Sequence, residues 1–441
     1  MSFLFRRPSD VPRMKPLSSR RTQIVSVLDI GSEKMSCMIG RLRPRPEGEV
    51  LRDRTHTIEV LGVGHQRSRG VKSGNVIDIE AAAKAIRATV DAAEAAAGLS
   101  VGSLIVSLTA GRLKSYRGSA SLEPLAAITQ SDVDFVESQA ARIQFEPNRL
   151  ALHSVPFDLA IDGEGGVENP VGMTAGTLSA DMHVLTAEEA PLRNLEAALN
   201  EAHIEVEAFV ATPYASALAT LVEDEAAMGS AAIDMGSGTT TIAIFHNGRF
   251  VYADQVAIGG SHITMDLARG LSIHPADAER LKVVNASILP QIADEDDVIT
   301  IPSLGEAGND ETVTVSRATI AKIVRPRVEE ILELVRDRLN ASNLGHVIGK
   351  RVVLTGGASQ LSGLPDTARA ILQRNVRLGR PVGVAGLTTA HKSPAFSAAV
   401  GLLIYPQVVH RETVATTSIA ARMFDQSTKA GRFGTWLRRS I

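Results

Sequence analysis

The sequence predicts an α/β protein with two halves built on the same strand–turn–strand unit. Three observations predict it. The segments "VSVLDIGSEKMSCMIGRL" and "SAAIDMGSGTTTIAIFHNGRF" each read as an apolar strand, an Asp-x-Gly-Ser turn and a second strand, one per half. Apolar strands alternate with helical-period segments around both copies, the pattern of a layered α/β fold with a mixed sheet. From about 111 to 183 the texture changes to short strands, Pro turns and a polar helix, which marks an inserted subdomain.

Each element follows from its residues. "TQIVSVLDIGSEKMSCMIGRL" gives two strands around a tight turn at Asp29–Ser32, and "HTIEVLGVGHQRS" a third strand. "VIDIEAAAKAIRATVDAAEAAAG" is a helix with Ile79, Ala83, Ile86 and Val90 on one face and Gly98 as its stop. "SLIVSLTA" returns as a buried strand. Leu192, Leu195 and Leu199 share a face of the helix after the insertion. Thr212 and Pro213 read as N-cap and first residue of the next helix. In the second half "SRATIAKIVRPRVEEILELVRDRLNA" is a long helix with a kink expected at Pro326. "KRVVLTGGASQLSGLPDTARAIL" is strand, glycine turn and helix, and "SPAFSAAVGLLIY" a closing helix.

The totals narrow the function classes. The chain has 441 residues, 44% apolar and 22% charged, as a soluble globular protein has. A net charge of −3 provides no field for nucleic acid. The single cysteine, Cys37, allows no disulfide within the chain, and a reducing cytoplasm is the simplest compartment. No apolar run is long enough to span a membrane. The basic, Pro- and Ser-rich residues 1–21 read as a disordered extension. There is neither a Walker A pattern nor a G-x-G-x-x-G after a strand, and "GVGHQRSRG" fails at the third glycine. His153, His183 and His262 show no metal spacing and read as loop or core residues, and "DEDD" at 294–297 as a solvated acidic loop.

The two turns carry the chemistry. A tight hairpin with Gly at its tip exposes backbone amides, and glycine lets a phosphate oxygen approach them. One such turn is commonplace. Two, one per half, can clasp a polyphosphate, with Asp29 and Asp234 holding Mg²⁺ mainly through water; the plainer alternative is two unrelated β-turns. Gly356 and Gly357, after a strand and before a helix, offer a flat backbone surface for a nucleoside, or merely a tight turn. Gly259 and Gly260 form another close-approach loop. Glu279 and Lys282 stand i and i+3 on one helix face, where they can reach one ligand or simply pair with each other.

This order of elements resembles the actin, sugar-kinase and DnaK-type chaperone superfamily. Within it the chain is similar to the FtsA family of bacterial cell-division proteins over nearly its whole length. The segments that carry the likeness are "LDIGSEKM", "GVGHQRSRGVKSGNVIDIE", "NPVGMT", "AAIDMGSGTTTIAIF", "IGGSHITMDLARGL" with "DAERLK", "VVLTGGASQLSGLP" and "AVGLLIY". The resemblance implies an actin-like two-domain fold with duplicated ribonuclease-H-like units and an FtsA-type inserted subdomain. It divides the chain into a first domain over 22–110 and 184–215, closed by a helix over 386–405, with the insertion at 111–183. A second domain covers 216–259 and 331–385, with a small subdomain at 260–330, a linker at 406–427 and an amphipathic helix at 428–441.

The resemblance also implies ATP and Mg²⁺ as ligands. Asp29, Gly31, Ser32 and Lys34 match the first phosphate segment, and Asp234, Gly236, Ser237, Gly238 and Thr239 the second. Glu279 and Lys282 match the ribose and adenine contacts, and Gly356, Gly357 and Ala358 the adenosine turn. The implied role is polymerisation on the cytoplasmic face of the inner membrane at the division site. There such a protein anchors FtsZ filaments and recruits later division proteins. The implied partners are the FtsZ C-terminal peptide, docked on about 260–330, anionic lipid and further copies of the chain.

Two features bear on mechanism. In this superfamily a residue that orients the attacking water opens the helix joining the halves. Here the positions are Thr212, Pro213, Tyr214, Ala215 and Ser216, with no Gln or carboxylate, and Glu223, Asp224 and Glu225 come two or three turns later. Hydrolysis is therefore expected to be slow or absent, with only Asp29 or Asp234 to polarise water. At the C-terminus, Phe433, Trp436, Leu437 and Ile441 fall on one helical arc, with Arg432, Arg438 and Arg439 outside it, the pattern of an interfacial membrane helix. A sugar-type kinase or chaperone-like ATPase of the same fold has no use for that tail. The tail also argues against a pilus-assembly actin-like protein, which shares the inserted subdomain.

Overall fold

A computed structural model describes residues 11–18, 20–46, 54–289, 297–302 and 312–413. In chain order the first half runs β1 (Gln23–Ile30), β2 (Lys34–Pro44), β3 (His56–Arg67), β4 (Val71–Lys72), β5 (Asn75–Val76), α1 (Ile79–Ala97), β6 (Ser103–Leu108), β7 (Lys114–Leu122), α2 (Gln130–Ala140), β8 (Arg149–Ile161), β9 (Leu178–Glu188), α3 (Glu189–Glu201), β10 (Glu205–Ala211), α4 (Thr212–Thr220) and α5 (Glu223–Met228). The second half runs β11 (Ser230–Met235), β12 (Thr240–His246), β13 (Arg249–Val256), α6 (Gly260–Leu271), α7 (Pro275–Asn285), β14 (Val298–Pro302), β15 (Thr312–Ser316), α8 (Arg317–Ala341), β16 (Arg351–Thr355), α9 (Leu364–Leu372), β17 (Asn375–Leu378) and α10 (Ser397–Ile404). These pack as two compact units, one of Val11–Lys114 and Ala187–His410, the other of Ser115–Thr186 with 411–413.

The larger unit contains the duplication in its topology. One sheet has the order β10-β6-β1-β2-β3 and the other β17-β16-β11-β12-β13. In each, three antiparallel strands are extended by two parallel ones. Both first strands are apolar, because they are central and covered on both faces: Val27, Leu28 and Ile233 are wholly buried. Asp29 and Asp234 come at the ends of these strands, where the chain turns back.

The glycines of "GVGHQRSRG" serve packing. A Cβ on Gly62 would lie 2.6 Å from the Ala93 carbonyl oxygen, and one on Gly64 2.5 Å from the Ala93 amide nitrogen. These glycines let β3 lie directly against α1. That helix begins with Asp78 Oδ1 accepting from the Ala81 amide at 3.0 Å and ends at Gly98 in the left-handed region, φ 65°. Its buried face includes Ala83, Ile86 and Val90, but Ile79, in the first turn, is 42% exposed. At the join between halves α10 crosses α4, and Gly401 lies against the Ala215 carbonyl with no space for a side chain.

Several local expectations need correction. Thr212 is not an N-cap: it is the first residue of α4, and its Oγ1 pairs with Thr109 Oγ1 at 2.7 Å. The helix ends at Thr220, so Glu223–Glu225 belong to a separate helix, α5. The long helix, by contrast, is as expected: α8 runs from Arg317 to Ala341 with Pro326 inside it. Part of the N-terminal extension packs: Pro12 and Met14 are buried, and His56 Nε2 lies 3.2 Å from the Ser18 carbonyl oxygen. The stretch after Tyr405, expected as linker, begins with two 3-10 turns, and Gln407 Oε1 accepts from the His56 amide at 2.9 Å.

In the smaller unit the strands are longer than expected. β7, β8 and β9 have 9, 13 and 11 residues and form a sheet of order β7-β9-β8. Pro156 is tolerated because β8 is an edge strand. Helix α2 starts with a capping box in which Asp132 Oδ2 accepts from the Thr129 amide at 2.9 Å. Val133, Val136 and Ala140 of this helix join Leu178, Ala180, Met182 and Val184 in one core. His153 and His183 are both buried and hydrogen-bonded, to Glu412 at 3.0 Å and Ser115 at 2.9 Å.

Candidate functional site

The two Asp-x-Gly-Ser turns close with the same backbone bond. The Gly31 amide donates to the Lys34 carbonyl and the Gly236 amide to the Thr239 carbonyl, both at 3.0 Å. The tips touch, since a Cβ on Gly238 would lie 2.7 Å from Ser32 Oγ and from Ser73 Cα. Ser32 Oγ in turn accepts from the Gly74 amide at 3.1 Å. Beneath the tips lies a cavity of about 320 Å³.

Fifteen of the sixteen site residues picked from sequence line this one cavity. They are Asp29, Gly31, Ser32, Lys34, Asp234, Gly236, Ser237, Gly238, Thr239, Gly260, Glu279, Lys282, Gly356, Gly357 and Ala358. The exception is Gly259, which does not line it. A Cβ there would lie 2.6 Å from the Gly236 and Ser237 carbonyl oxygens, so this glycine lets the start of α6 press against the second turn. The Gly260 and Ser261 amides donate to those same two carbonyls at 2.9 and 2.8 Å.

The floor of the cavity holds buried titratable groups. Burial pushes the Asp29 carboxyl above its usual range, against a hydrogen bond from Ser107 and the charge of Lys34. Burial also pushes Asp234 up to about 6, partly offset by its hydrogen bond from Ser216 Oγ and reinforced by the charge of Asp29. The Lys34 ammonium is brought down to about 8 by burial, although Asp29 and Asp234 both favour its charge. Lys34 Nζ donates to the Ala395 carbonyl at 2.8 Å and stands 3.2 Å above the centre of the Phe396 ring. Two carboxyl groups and one amine, all buried, thus share one site, an arrangement suited to a cation and an oxyanion bound together.

The walls are neutral backbone and one built ion pair. Lys282 Nζ donates to Glu279 Oε2 at 2.6 Å, Thr264 Oγ1 at 2.9 Å and the Gly260 carbonyl at 3.1 Å. Lys282 is buried and Glu279 is partly exposed, and both residues line the cavity. Gly356 adopts φ 87°, and a Cβ there would lie 2.5 Å from the Met235 carbonyl oxygen, so only glycine fits beside β11. A 3-10 turn, Gly357–Gln360, intervenes before α9, so the glycine pair is not at that helix's N-terminus as expected.

Sequence reading missed other lining residues. Thr109, Thr241, Gln360, Pro394 and Ala398 come from strand ends and helix starts and were not singled out. None of the positions Thr212–Ser216 offers a carboxylate or amide. Tyr214 stacks on Phe250 with ring centres 4.4 Å apart, and Glu225 is held by Arg377 Nε at 2.6 Å. Among the described residues no group of three or more metal-ligating side chains occurs, and no helix is long and apolar enough to cross a membrane. Asp297 of the acidic loop pairs with Arg317. The tail residues Arg432, Phe433, Trp436, Leu437, Arg438, Arg439 and Ile441 lie outside the described residues.

Comparison with known proteins adds to this geometry. The family model described as cell division protein FtsA matches residues 231–401, and one described as an SHS2 domain inserted in FtsA matches 111–186, three residues beyond the expected insertion. Cell division protein FtsA of Rhizobium meliloti (strain 1021) is 53% identical over 98% of this chain and 98% of its own. That of Escherichia coli (strain K12) is 29% identical over 95% of this chain and 98% of its own. Among solved structures, the PilM-PilN type IV pilus biogenesis complex aligns with a TM-score of 0.59 at 16% identity, over 87% of this chain and 98% of that one. MreB5 of Spiroplasma citri bound to ADP aligns with a TM-score of 0.50 at 13% identity, over 89% and 98%. The duplicated sheets, the inserted unit and the identity over the full length together place the chain in the FtsA family of actin-like cell-division proteins.

Proposed function

We propose that this cell-division protein binds ATP in the cleft between its two hairpins and polymerises on the cytoplasmic membrane. There it anchors FtsZ filaments and recruits later division proteins. The observation that carries the nucleotide reading is the convergence of four separate chain segments on one cavity: both hairpins, the Glu279–Lys282 pair and the Gly356–Ala358 turn. Magnesium fits the donor set, because Asp29 and Asp234 supply hard oxygen donors at the cavity floor. When bound, it would neutralise phosphate charge. The turn amides and the Ser32, Ser237 and Thr239 hydroxyls would orient the phosphates, and the Gly356–Ala358 backbone would take the nucleoside.

Hydrolysis is slow or absent in this reading. Thr212, Tyr214 and Ser216 each contact a protein partner, and none carries a carboxylate or amide that would orient a water. The same lack argues against a sugar-type kinase, which needs a placed carboxylate. The segment 260–330 is the proposed dock for the FtsZ peptide, supported by the exposed Val284 and Val298. The tail at 428–441 is the proposed membrane contact, supported by its apolar arc and flanking arginines. The inserted unit is the proposed site for filament contacts and later partners.

Calorimetric titration of the full chain with Mg-ATP tests the cleft. Saturable binding well below about 1 mM supports the reading, and no saturation by that concentration rejects it.

A further inference from the structure

The duplication carries one feature that the motifs do not explain. In the second sheet Asp234 is the register partner of Thr355 on one side and Thr241 on the other, and Thr241 is the partner of Gln255. Residues paired across strands share a face, so Thr355, Asp234, Thr241 and Gln255 form one polar row. Thr355 Oγ1 is paired with Ser397 Oγ at 2.7 Å, and Asp234 with Ser216. Thr241 Oγ1 and Gln255 Oε1 are buried and have no hydrogen-bond partner among the described residues. Thr241 is 2% exposed and lines the cavity.

The first sheet has the counterpart. Asp29 pairs in register with Ser36, whose hydroxyl is also buried without a partner. Ser36, however, does not line the cavity, so of these two hydroxyls only that of Thr241 opens onto the site. A buried hydroxyl left unpaired is costly, and valine would fill the same strand position without that cost.

We propose that Thr241 is a ligand-positioning residue of the cleft. Its hydroxyl hydrogen-bonds an oxygen of the bound group beside the Asp234 carboxylate. Two sources have that chemistry, a water on a divalent cation or a terminal phosphate oxygen. The proposal rests on the nucleotide reading above. Asp234 fixes where the charge is, and Thr241 fixes which oxygen is held.

The test compares wild type with Thr241→Val, which keeps the shape and loses the hydroxyl, and Thr241→Ser, which keeps the hydroxyl. Dissociation constants are measured for Mg-ATP, for ATP in EDTA and for Mg-ADP, and melting temperatures without nucleotide. Thr241→Val is expected to bind Mg-ATP about tenfold more weakly, with Thr241→Ser close to wild type. A loss that vanishes in EDTA but persists with Mg-ADP assigns the oxygen to cation-bound water. A loss that persists in EDTA but vanishes with Mg-ADP assigns it to the terminal phosphate. Thr241→Val binding every form as wild type does overturns the proposal, whatever its melting temperature. If Thr241→Val does not fold, Thr241→Ala takes its place in the same three titrations. Wild type binding none of the three forms overturns the nucleotide reading itself, a different outcome from a silent Thr241→Val.

Discussion

Gly238 and Ser32 bring the two halves of the duplication into contact, with space for only a hydrogen between the second hairpin's tip and the first hairpin's hydroxyl. The opposing surface also includes the Ser73 backbone, which cannot swing aside as a flexible side chain can. The distance between the turns, and so the width of the cleft, depends on that glycine. Gly238→Ala should separate the turns and weaken Mg-ATP binding by about tenfold or more, as the loss of one good charge-assisted hydrogen bond does. Calorimetry reads the affinity, and far-ultraviolet circular dichroism checks that the sheets remain.

The cleft aspartates predict a pH dependence of known sign. Burial raises Asp234 from 3.8 to about 6. A group whose pKa is raised by folding gives stability that is complete below its unfolded value and is lost as pH rises through the folded one. The nucleotide-free protein therefore loses this contribution between about pH 4 and pH 6. Asp234→Asn should remove that loss and raise the melting temperature at pH 7, while abolishing the magnesium dependence of ATP binding. Thermal melts from pH 4 to pH 8 with and without Mg-ATP measure both effects.

The occupied helix start predicts slow turnover. With Thr212 on Thr109, Tyr214 on Phe250 and Ser216 on Asp234, the helix start presents no carboxylate or amide to place a water, which leaves only Asp29 and Asp234. Steady-state ATP hydrolysis should stay below about 1 s⁻¹, the low end of ordinary enzymes. A phosphate-release assay that gives a faster rate contradicts it.

The tail predicts a separable membrane function. On helical spacing Trp436 would share an apolar arc with Phe433, Leu437 and Ile441, flanked in sequence by Arg432, Arg438 and Arg439. Trp436→Glu should remove the chain from anionic liposomes and leave Mg-ATP affinity unchanged. Retained binding to liposomes would refute the anchor.

The hairpins were legible because an aspartate, a glycine and a serine between apolar strands occur twice, and repetition is visible without structure. Partners distant in sequence were not. Thr212 looks like a cap until Thr109 is placed beside it, and Gly259 signals a close approach without saying to what. Thr241 is an ordinary strand residue by sequence, and only its register with Asp234 and its unpaired hydroxyl reveal it. The packing of Pro12 and Met14 was hidden because three or four residues show no period. The glycines of β3 failed a phosphate motif correctly, since they serve the approach of α1.

Nucleotide, self-assembly and membrane are proposed to act together. In the proposed reading the four large apolar tail residues would hold one copy weakly, because ordering the segment would offset most of their burial, at about 1–2 kcal/mol per residue. Many copies on one filament would bind through avidity. The most direct test is sedimentation of the full chain with anionic liposomes, with and without Mg-ATP, across a range of protein concentration. The account predicts a steep, cooperative rise in pelleted protein that needs both lipid and Mg-ATP and is absent for Trp436→Glu. Pelleting that rises linearly with concentration and is the same without nucleotide would contradict it.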